Sequence, residues 1–226
     1  MQNTIRNISE GSVIASDLNG TLTTGSPVLA VYRWLKANQP GATPPLFVYR
    51  LSFSYLLVKA GLLEIDTWGE EAMREVLGCV RDPDPLLMED LMEFVVEDEL
   101  WPKRKDEPIS LLRDFHHQGA QIWILSAAYQ PVVEKFSQRI APNRIFAIGT
   151  PVEITPDGLQ FAGPLNSRDR KITNLLEKIG SRKLSIALGD TFADIPLLDK
   201  AEKAIVVDPD RKLKQKASLS GWHQIG

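Results

Sequence analysis

The chain has 226 residues, of which 43% are hydrophobic and 24% charged, so it is long enough for one large domain or a core with a modest insertion. Its net charge of −3 at pH 7 provides no basic field that would favour nucleic acid as a partner. The single cysteine, Cys79, excludes an internal disulfide and a cysteine-based zinc site and fits a reducing compartment. Residues 1–11 lack a basic segment followed by an apolar one, so we predict no secretory signal and a cytoplasmic location.

The first informative stretch is a short apolar run, Val13 to Ser16, that ends at Asp17. This pattern predicts a buried parallel strand that delivers a carboxylate to its C-terminal end, where open α/β sheets build their sites. Asn19 follows two residues later. After it, Gly20 would let the backbone approach a ligand closely, and Thr21 can hydrogen-bond phosphate oxygens.

The next part of the chain has helical patterns and no strand signal between residues 27 and 101. Start signals are Ser26-Pro27, the capping-box spacing of Thr67 to Glu70, and Asp84-Pro85. The predicted helices cover residues 28–36, 46–63, 67–80 and 86–100. We therefore predict that residues 26–102 form a helical bundle that caps the ligand edge of the sheet.

The 46–63 stretch is apolar almost all the way round and approaches the length of a membrane span. Arg50 and Lys59 within it would each cost roughly 2.5–3.5 kcal/mol on insertion scales, which argues against a transmembrane helix. The favoured interpretation is a helix buried inside the small bundle. The alternative is an apolar face that meets a lipid-like substrate or a membrane surface.

Strands and helices alternate in the rest of the chain, which predicts a doubly wound, Rossmann-like parallel sheet of the α/β class. The core domain is assigned to residues 1–25 and 103–226, and the cap domain to residues 26–102. Predicted strands cover 121–125, 144–149, 184–188 and 204–207, predicted helices cover 109–118, 131–140, 166–179 and 194–200, and residues 152–161 are predicted to form a β-hairpin.

Three of the predicted strands end in polar groups, namely Asp17, Ser126 and Asp190. Because the C-terminal ends of parallel strands share one edge, we expect these side chains to converge. Lys171, from a helix between the second and third of these strands, and Asp194 complete the set. A carboxylate nucleophile, a hydroxyl, an ammonium group and a further carboxylate pair are what phosphoryl transfer requires.

The order of these residues resembles the four motifs of the haloacid dehalogenase (HAD) superfamily. The matching stretches are Asp17 to Thr21, Ser126 after an apolar strand, Lys171, and Gly189 to Asp194, which has the Gly-Asp-x-x-x-Asp form. The position of the cap, the hairpin and the tail from Asp208 to Trp222 resemble the phosphoserine-phosphatase-like branch. The resemblance covers nearly the whole chain.

This resemblance implies a phosphatase that hydrolyses a small phosphorylated metabolite through an aspartyl-phosphate on Asp17, with Mg²⁺ as the cofactor. It implies that Asp17, Asp190 and the backbone carbonyl of Asn19 bind the ion, and that Asp194 orients a metal-bound water or Lys171. Phosphoserine is suggested as a substrate only by the branch. The implied ligands of the phosphoryl oxygens are Thr21, Ser126, Lys171 and the backbone amides around Gly20 and Ala127.

Asn19 departs from the family pattern, which has a second aspartate here. In related phosphatases that aspartate protonates the leaving oxygen and later takes a proton from water, and an amide can do neither. The loss should slow hydrolysis of an alkyl phosphate by ~10²- to 10⁴-fold. Three hypotheses remain: an attenuated phosphatase, a phosphate-binding or regulatory scaffold, and a deliberate substitution of a natural aspartate in a phosphatase. The first is favoured because Asp17, Lys171, Asp190 and Asp194 are all present.

Overall fold

A computed structural model describes residues 7–47, 49–50, 53, 56, 65–143, 145–156 and 158–226. The strands are β1 (Val13–Asp17), β2 (Gln121–Tyr129), β3 (Ile145–Thr150), β4 (Val152–Thr155), β5 (Gly158–Phe161), β6 (Leu184–Gly189), β7 (Lys203–Val207) and β8 (His223–Ile225). The α-helices are α1 (Pro27–Asn38), α2 (Ile65–Gly78), α3 (Pro85–Phe94), α4 (Asp106–His117), α5 (Gln130–Ile140), α6 (Asp169–Ile179), α7 (Ile195–Lys200) and α8 (Arg211–Ser220).

The main sheet has the strand order β3-β2-β1-β6-β7-β8, and all its neighbouring strands are parallel. The remaining pair, β4 and β5, forms a separate antiparallel hairpin, as predicted. The strand order reverses between β1 and β6, and such a reversal opens a crevice at the C-terminal edge of a sheet. The predicted α/β class with a doubly wound parallel sheet is confirmed.

The central strand β1 is buried along its whole length, and its side chains alternate between two hydrophobic clusters. Ile14 packs on the side of α1 to α5, whereas Val13 and Ala15 pack on the side of α6 to α8. Asp17 pairs in register with Leu125 of β2, and Ser16 with Leu188 of β6. The end of β1, Leu125 of β2 and the end of β6 therefore lie at one level of one edge.

Between β1 and β2 the chain forms the helical insert, which contains α1, α2, α3 and a π-helical segment, Val95–Leu100. Two predicted caps are confirmed. The hydroxyl of Ser26 accepts a hydrogen bond from the Leu29 amide, and the Asp84 carboxylate accepts one from the Leu87 amide.

Several predicted bounds are wrong. Helix α2 begins at Ile65, so Thr67 lies inside it and is not the cap. Helix α4 begins at Asp106, earlier than predicted, and its first turn carries acidic residues that suit a helix N-terminus. Helix α6 begins at Asp169, so Asn166 lies outside it. Strand β2 continues through Ser126 to Tyr129, and β8 follows the strand that was predicted to be the last.

Most of the 46–63 stretch lies outside the described residues, so its predicted burial is testable at only a few positions. Phe47 is buried, whereas Leu46, Tyr49, Phe53 and Leu56 are each more than 60% exposed. These four side chains do not fit a helix that is buried all round. Among the described residues, no helix is both long enough and apolar enough to cross a membrane.

The helical insert begins and ends at adjacent points of the fold. The Thr24 amide donates to the Lys103 carbonyl at 3.1 Å, and the Lys105 amide donates to the Leu22 carbonyl at 2.8 Å. The insert also shares a hydrophobic cluster with the sheet, and the Tyr129 hydroxyl of β2 donates to the Met73 carbonyl of α2. The division into two domains at 25/26 and 102/103 stays a prediction.

Candidate active site

The centre of the candidate site is a buried ion-pair group at the end of β1. The ammonium nitrogen of Lys171 donates to Asp17 Oδ1 at 2.5 Å and to Asp194 Oδ1 at 2.8 Å. Lys171 is 6% exposed, Asp17 4% and Asp194 1%. Charged groups this deeply buried are costly unless they are paired, so the three side chains stabilise one another.

Two local structures hold the ends of this group. Lys171 is the third residue of α6, so the first turn of that helix brings its ammonium to the edge of the sheet. Asp194 ends a short 3₁₀ turn, Phe192–Asp194, which is closed by a capping box with Thr191. Its Oδ2 accepts hydrogen bonds from the amides of Asp190 and Thr191, at 3.3 Å and 3.2 Å, and from the Thr191 hydroxyl.

The loop after β1 packs directly on Asp190. Gly20 has a φ of +96°, and a Cβ atom there would lie 2.0 Å from Asp190 Oδ2, so only glycine fits. The Thr21 hydroxyl donates to Asp190 Oδ1 at 2.7 Å. Strands β1 and β6 thus present their carboxylates to the same space.

The site has the donor set of a divalent-cation centre. Carboxylate oxygens of Asp17, Asp190 and Asp194 all lie within 4.8 Å of one another. Asp17 Oδ2 is buried and has no hydrogen-bond partner, as expected for an oxygen that faces a cation. Both oxygens of Asp194 already accept hydrogen bonds. These contacts fit Asp17 and Asp190 as ligands and Asp194 as the residue that orients Lys171.

The carboxylates of Asp17 and Asp190 are destabilised in their charged forms. Burial raises the pKa of Asp17 to about 6, although the ammonium of Lys171 opposes the shift. Burial, followed by the charges of Asp17 and Asp194, raises the pKa of Asp190 to about 8. The pKa of Lys171 is raised because the two neighbouring carboxylates outweigh the effect of burial. The site is therefore short of positive charge, which a bound cation would supply.

Without metal, the protein is expected to lose stability as the pH rises from about 4 to about 8. Folding raises the pKa of Asp17 and Asp190 above the unfolded value of 3.8, so the folded state binds more protons within this window and is favoured at its acid end. We expect Tm in EDTA to be roughly 5 °C lower at pH 8 than at pH 5. The difference should shrink in Asp190→Asn. If the native chain and Asp190→Asn differ in Tm by the same amount at pH 5 and at pH 8, the raised pKa of Asp190 is contradicted.

The structure places Asn19 against Ser126. The Ser126 hydroxyl donates to Asn19 Oδ1 at 3.1 Å, and Asn19 Nδ2 donates to the Gly25 carbonyl at 3.3 Å. Ser126 also accepts from the Ala128 amide, and it is buried inside β2 rather than lying after the strand. Ala127, between Ser126 and Ala128 in the sequence, is half-buried. The predicted site residues therefore come together at one edge, while their catalytic and binding roles stay predictions.

Three supporting residues were not singled out from the sequence. Buried Asn166 donates to the carbonyls of Ser126 and Ile148, and Thr150 donates to the Ala127 carbonyl at 2.7 Å. The third is Thr191, whose hydroxyl donates to Asp194 Oδ2. Only Thr191 had a local signal, because it lies inside the Gly189–Asp194 motif.

Comparisons with known proteins were made with both the sequence and the structure. A family model described as haloacid dehalogenase-like hydrolase matches residues 14–199. The phosphoserine phosphatase SerB1 of Mycobacterium tuberculosis (strain ATCC 25618 / H37Rv) is 25% identical over 223 residues, which cover 91% of this chain and 68% of that protein. A protein of unknown function from Bordetella pertussis Tohama I has a TM-score of 0.76 at 19% identity, covering 96% of this chain and 99% of that one. A substrate-bound phosphoserine phosphatase has a TM-score of 0.63 at 15% identity, covering 96% and 94%.

Proposed function

Because the chain belongs to the haloacid dehalogenase-like hydrolase family, we propose that it is a Mg²⁺-dependent phosphatase that acts through an aspartyl-phosphate on Asp17. The observation that carries this proposal is the environment of Asp17. One of its oxygens is held by Lys171, and the other is buried without a partner beside Asp190. The two oxygens of such a carboxylate can divide between them the roles of cation ligand and nucleophile.

Asp17, Asp190 and the backbone carbonyl of Asn19 are the groups that would hold the ion. When bound, Mg²⁺ would offset the repulsion between the carboxylate and an anionic phosphate. Asp194 positions Lys171, since it accepts from that ammonium with one oxygen and is anchored to the backbone by the other.

The remaining residues bind the phosphoryl group. Lys171 provides positive charge beside the nucleophile, and the hydroxyls of Thr21 and Ser126 lie at the same edge of the sheet. Backbone amides around Gly20 and Ala127 would supply further donors. Fixed donors of this kind stabilise the charge on the three equatorial oxygens during transfer.

The proposed substrate is a small phosphorylated metabolite. The helical insert covers residues 26–102 between β1 and α4, where it can serve as a cap over the site. One relative is named a phosphoserine phosphatase, so phosphoserine is a natural compound to assay.

A second candidate function is a phosphate-binding or regulatory protein. Asn19 favours it, because an amide stands where acid–base catalysis is needed and both its ends are hydrogen-bonded. Such a protein would bind Mg²⁺ and phosphate without turnover.

The test is p-nitrophenyl phosphate hydrolysis with Mg²⁺ and with EDTA, performed on the native chain and on Asn19→Asp. We expect turnover that requires Mg²⁺, together with a rise in Tm on adding the ion, since a ligand that binds only the folded state stabilises it. A large gain in Asn19→Asp would indicate an attenuated phosphatase. Absence of turnover in both proteins, with a Tm shift from Mg²⁺ and phosphate, would favour the regulatory function. Absence of both responses would refute the enzyme and the metal site together.

A further inference from the structure

The side chain of Asn19 is fixed in one orientation. Nδ2 donates to the Gly25 carbonyl, and Oδ1 accepts from the Ser126 hydroxyl. The Gly25 carbonyl can only accept, so the nitrogen must face it and the oxygen must face Ser126. Asn19 therefore presents no group that can give or take a proton.

The other proton-bearing side chains of the described site are two hydroxyls and an ammonium group, which are weak acids and donate hydrogen bonds to protein oxygens. The Thr21 hydroxyl donates to Asp190, the Ser126 hydroxyl to Asn19, and the Lys171 ammonium to two carboxylates. Asp194 accepts hydrogen bonds with both of its oxygens. Asp190 is the remaining carboxylate and is a proposed ligand of the ion. Within the described residues, no imidazole lies among these contacts to protonate an oxygen that leaves phosphorus.

The absence of a proton donor for the leaving oxygen decides which phosphate esters and anhydrides the site can cleave. In the proposed reaction an oxygen of Asp17 forms a bond to phosphorus, and the bond from phosphorus to the leaving oxygen breaks. The electron pair stays on that oxygen. An alkoxide is a poor leaving group unless it is protonated as it departs. A carboxylate, an enolate or a phenolate is stable as an anion and needs no proton from the protein.

We propose, given the phosphatase function above, that the substrates are phosphoryl donors with an acidic leaving group, such as acyl phosphates and aryl or enol phosphates. Alkyl phosphates, including phosphoserine, are poor substrates by the same reasoning.

The second step of the reaction, hydrolysis of the aspartyl-phosphate, is affected as well. Water must attack phosphorus, break the bond to Asp17 and lose a proton to solvent, since Asn19 cannot accept it. The aspartyl-phosphate therefore forms faster than it is hydrolysed and accumulates.

The experiment compares acetyl phosphate, p-nitrophenyl phosphate, phenyl phosphate and phosphoserine, each with Mg²⁺. For the native chain we expect kcat/KM, which reports formation of the aspartyl-phosphate, to fall steeply as the leaving group becomes more basic. In Asn19→Asp kcat/KM for phosphoserine should rise by ~10²- to 10⁴-fold, while kcat/KM for acetyl phosphate changes by less than about tenfold. Asn143→Asp, an exposed site at the opposite edge of the sheet, adds the same charge and should leave the series unchanged.

A second readout measures the phosphorylated protein itself rather than the rate of product formation. Mass spectrometry of the native chain quenched during acetyl phosphate hydrolysis should show one added phosphoryl group on Asp17, and Asn19→Asp should show little. A flat leaving-group series for the native chain, with no phosphoprotein, would overturn this inference while leaving the phosphatase standing. Absence of turnover and of phosphoprotein with every donor would overturn the proposed function itself. The native series decides the question even if Asn19→Asp does not fold.

Discussion

Replacing Asp17 with asparagine is expected to lower phosphatase activity by at least about 10⁴-fold while the chain stays folded. An amide cannot attack phosphorus, so the covalent step is lost. Folding should survive because Lys171 keeps Asp194 as a partner, and because a buried carboxylate whose pKa is raised to about 6 is removed. The measurements are p-nitrophenyl phosphate turnover with Mg²⁺ and Tm in EDTA at pH 8.

Asp199→Asn is the matched control. Asp199 lies on α7 and forms a surface ion pair with Lys216 at 3.1 Å, which is worth little to stability. The same change of charge there should leave turnover and Tm close to the native values. Asp17→Asn turnover above a tenth of the native rate would show that Asp17 is not the nucleophile.

The largest effect on stability is expected for Lys171→Met. The substitution leaves Asp17 and Asp194 buried without their shared cation, and breaking a buried ion pair in this way typically costs ~3–5 kcal/mol. We expect the midpoint of urea unfolding at pH 8 to fall accordingly, and turnover to be lost with it. Lys178→Met removes a charge from an exposed position of the same helix and should change the midpoint little.

A double variant separates loss of the ion pair from loss of packing. In Lys171→Met combined with Asp17→Asn one of the two stranded carboxylates is gone, so the double variant should be more stable than Lys171→Met alone. If Lys171→Met unfolds at the native urea concentration, or if the second substitution lowers stability further, the charges of this group do not stabilise one another as described.

The strand ends at Asp17 and Asp190 were predictable because each follows a largely apolar run, the pattern of a parallel strand that is buried on both faces. Parallel pairing then places the two carboxylates at one edge. That Lys171 lies early in a helix between two strands was predictable from the helical pattern, but the predicted start at Asn166 would have placed it in the second turn rather than the first.

Ser126 shows where this reasoning fails. It was expected after the end of its strand, but β2 resumes beyond a register break and pairs Tyr129 with Thr150 of β3. That pairing joins distant parts of the chain, so no local pattern reveals it. Asn166 was placed in a helix for a similar reason, because its hydrogen bonds to the Ser126 and Ile148 carbonyls depend on the tertiary fold.

The short strand β8 illustrates a limit of length. His223–Ile225 has too few residues for a clear alternation, and its pairing with β7 defines it.

The carboxylates of the site show that residue type alone does not predict a side chain's contacts. Asp17 and Asp194 are the same amino acid in the sequence, but only Asp17 has an oxygen without a hydrogen-bond partner.

The chain leaves the sheet near Leu22 and returns near Lys105, and hydrogen bonds join the two passages side by side. The two chain connections of the helical insert therefore lie side by side at one place on the sheet. Doubling the length of such an attachment costs only ~0.6 kcal/mol of closure entropy. Evolution can lengthen, shorten or rebuild the insert without shifting the strands that carry Asp17 and Asp190, so new specificities can arise while the proposed site stays unaltered.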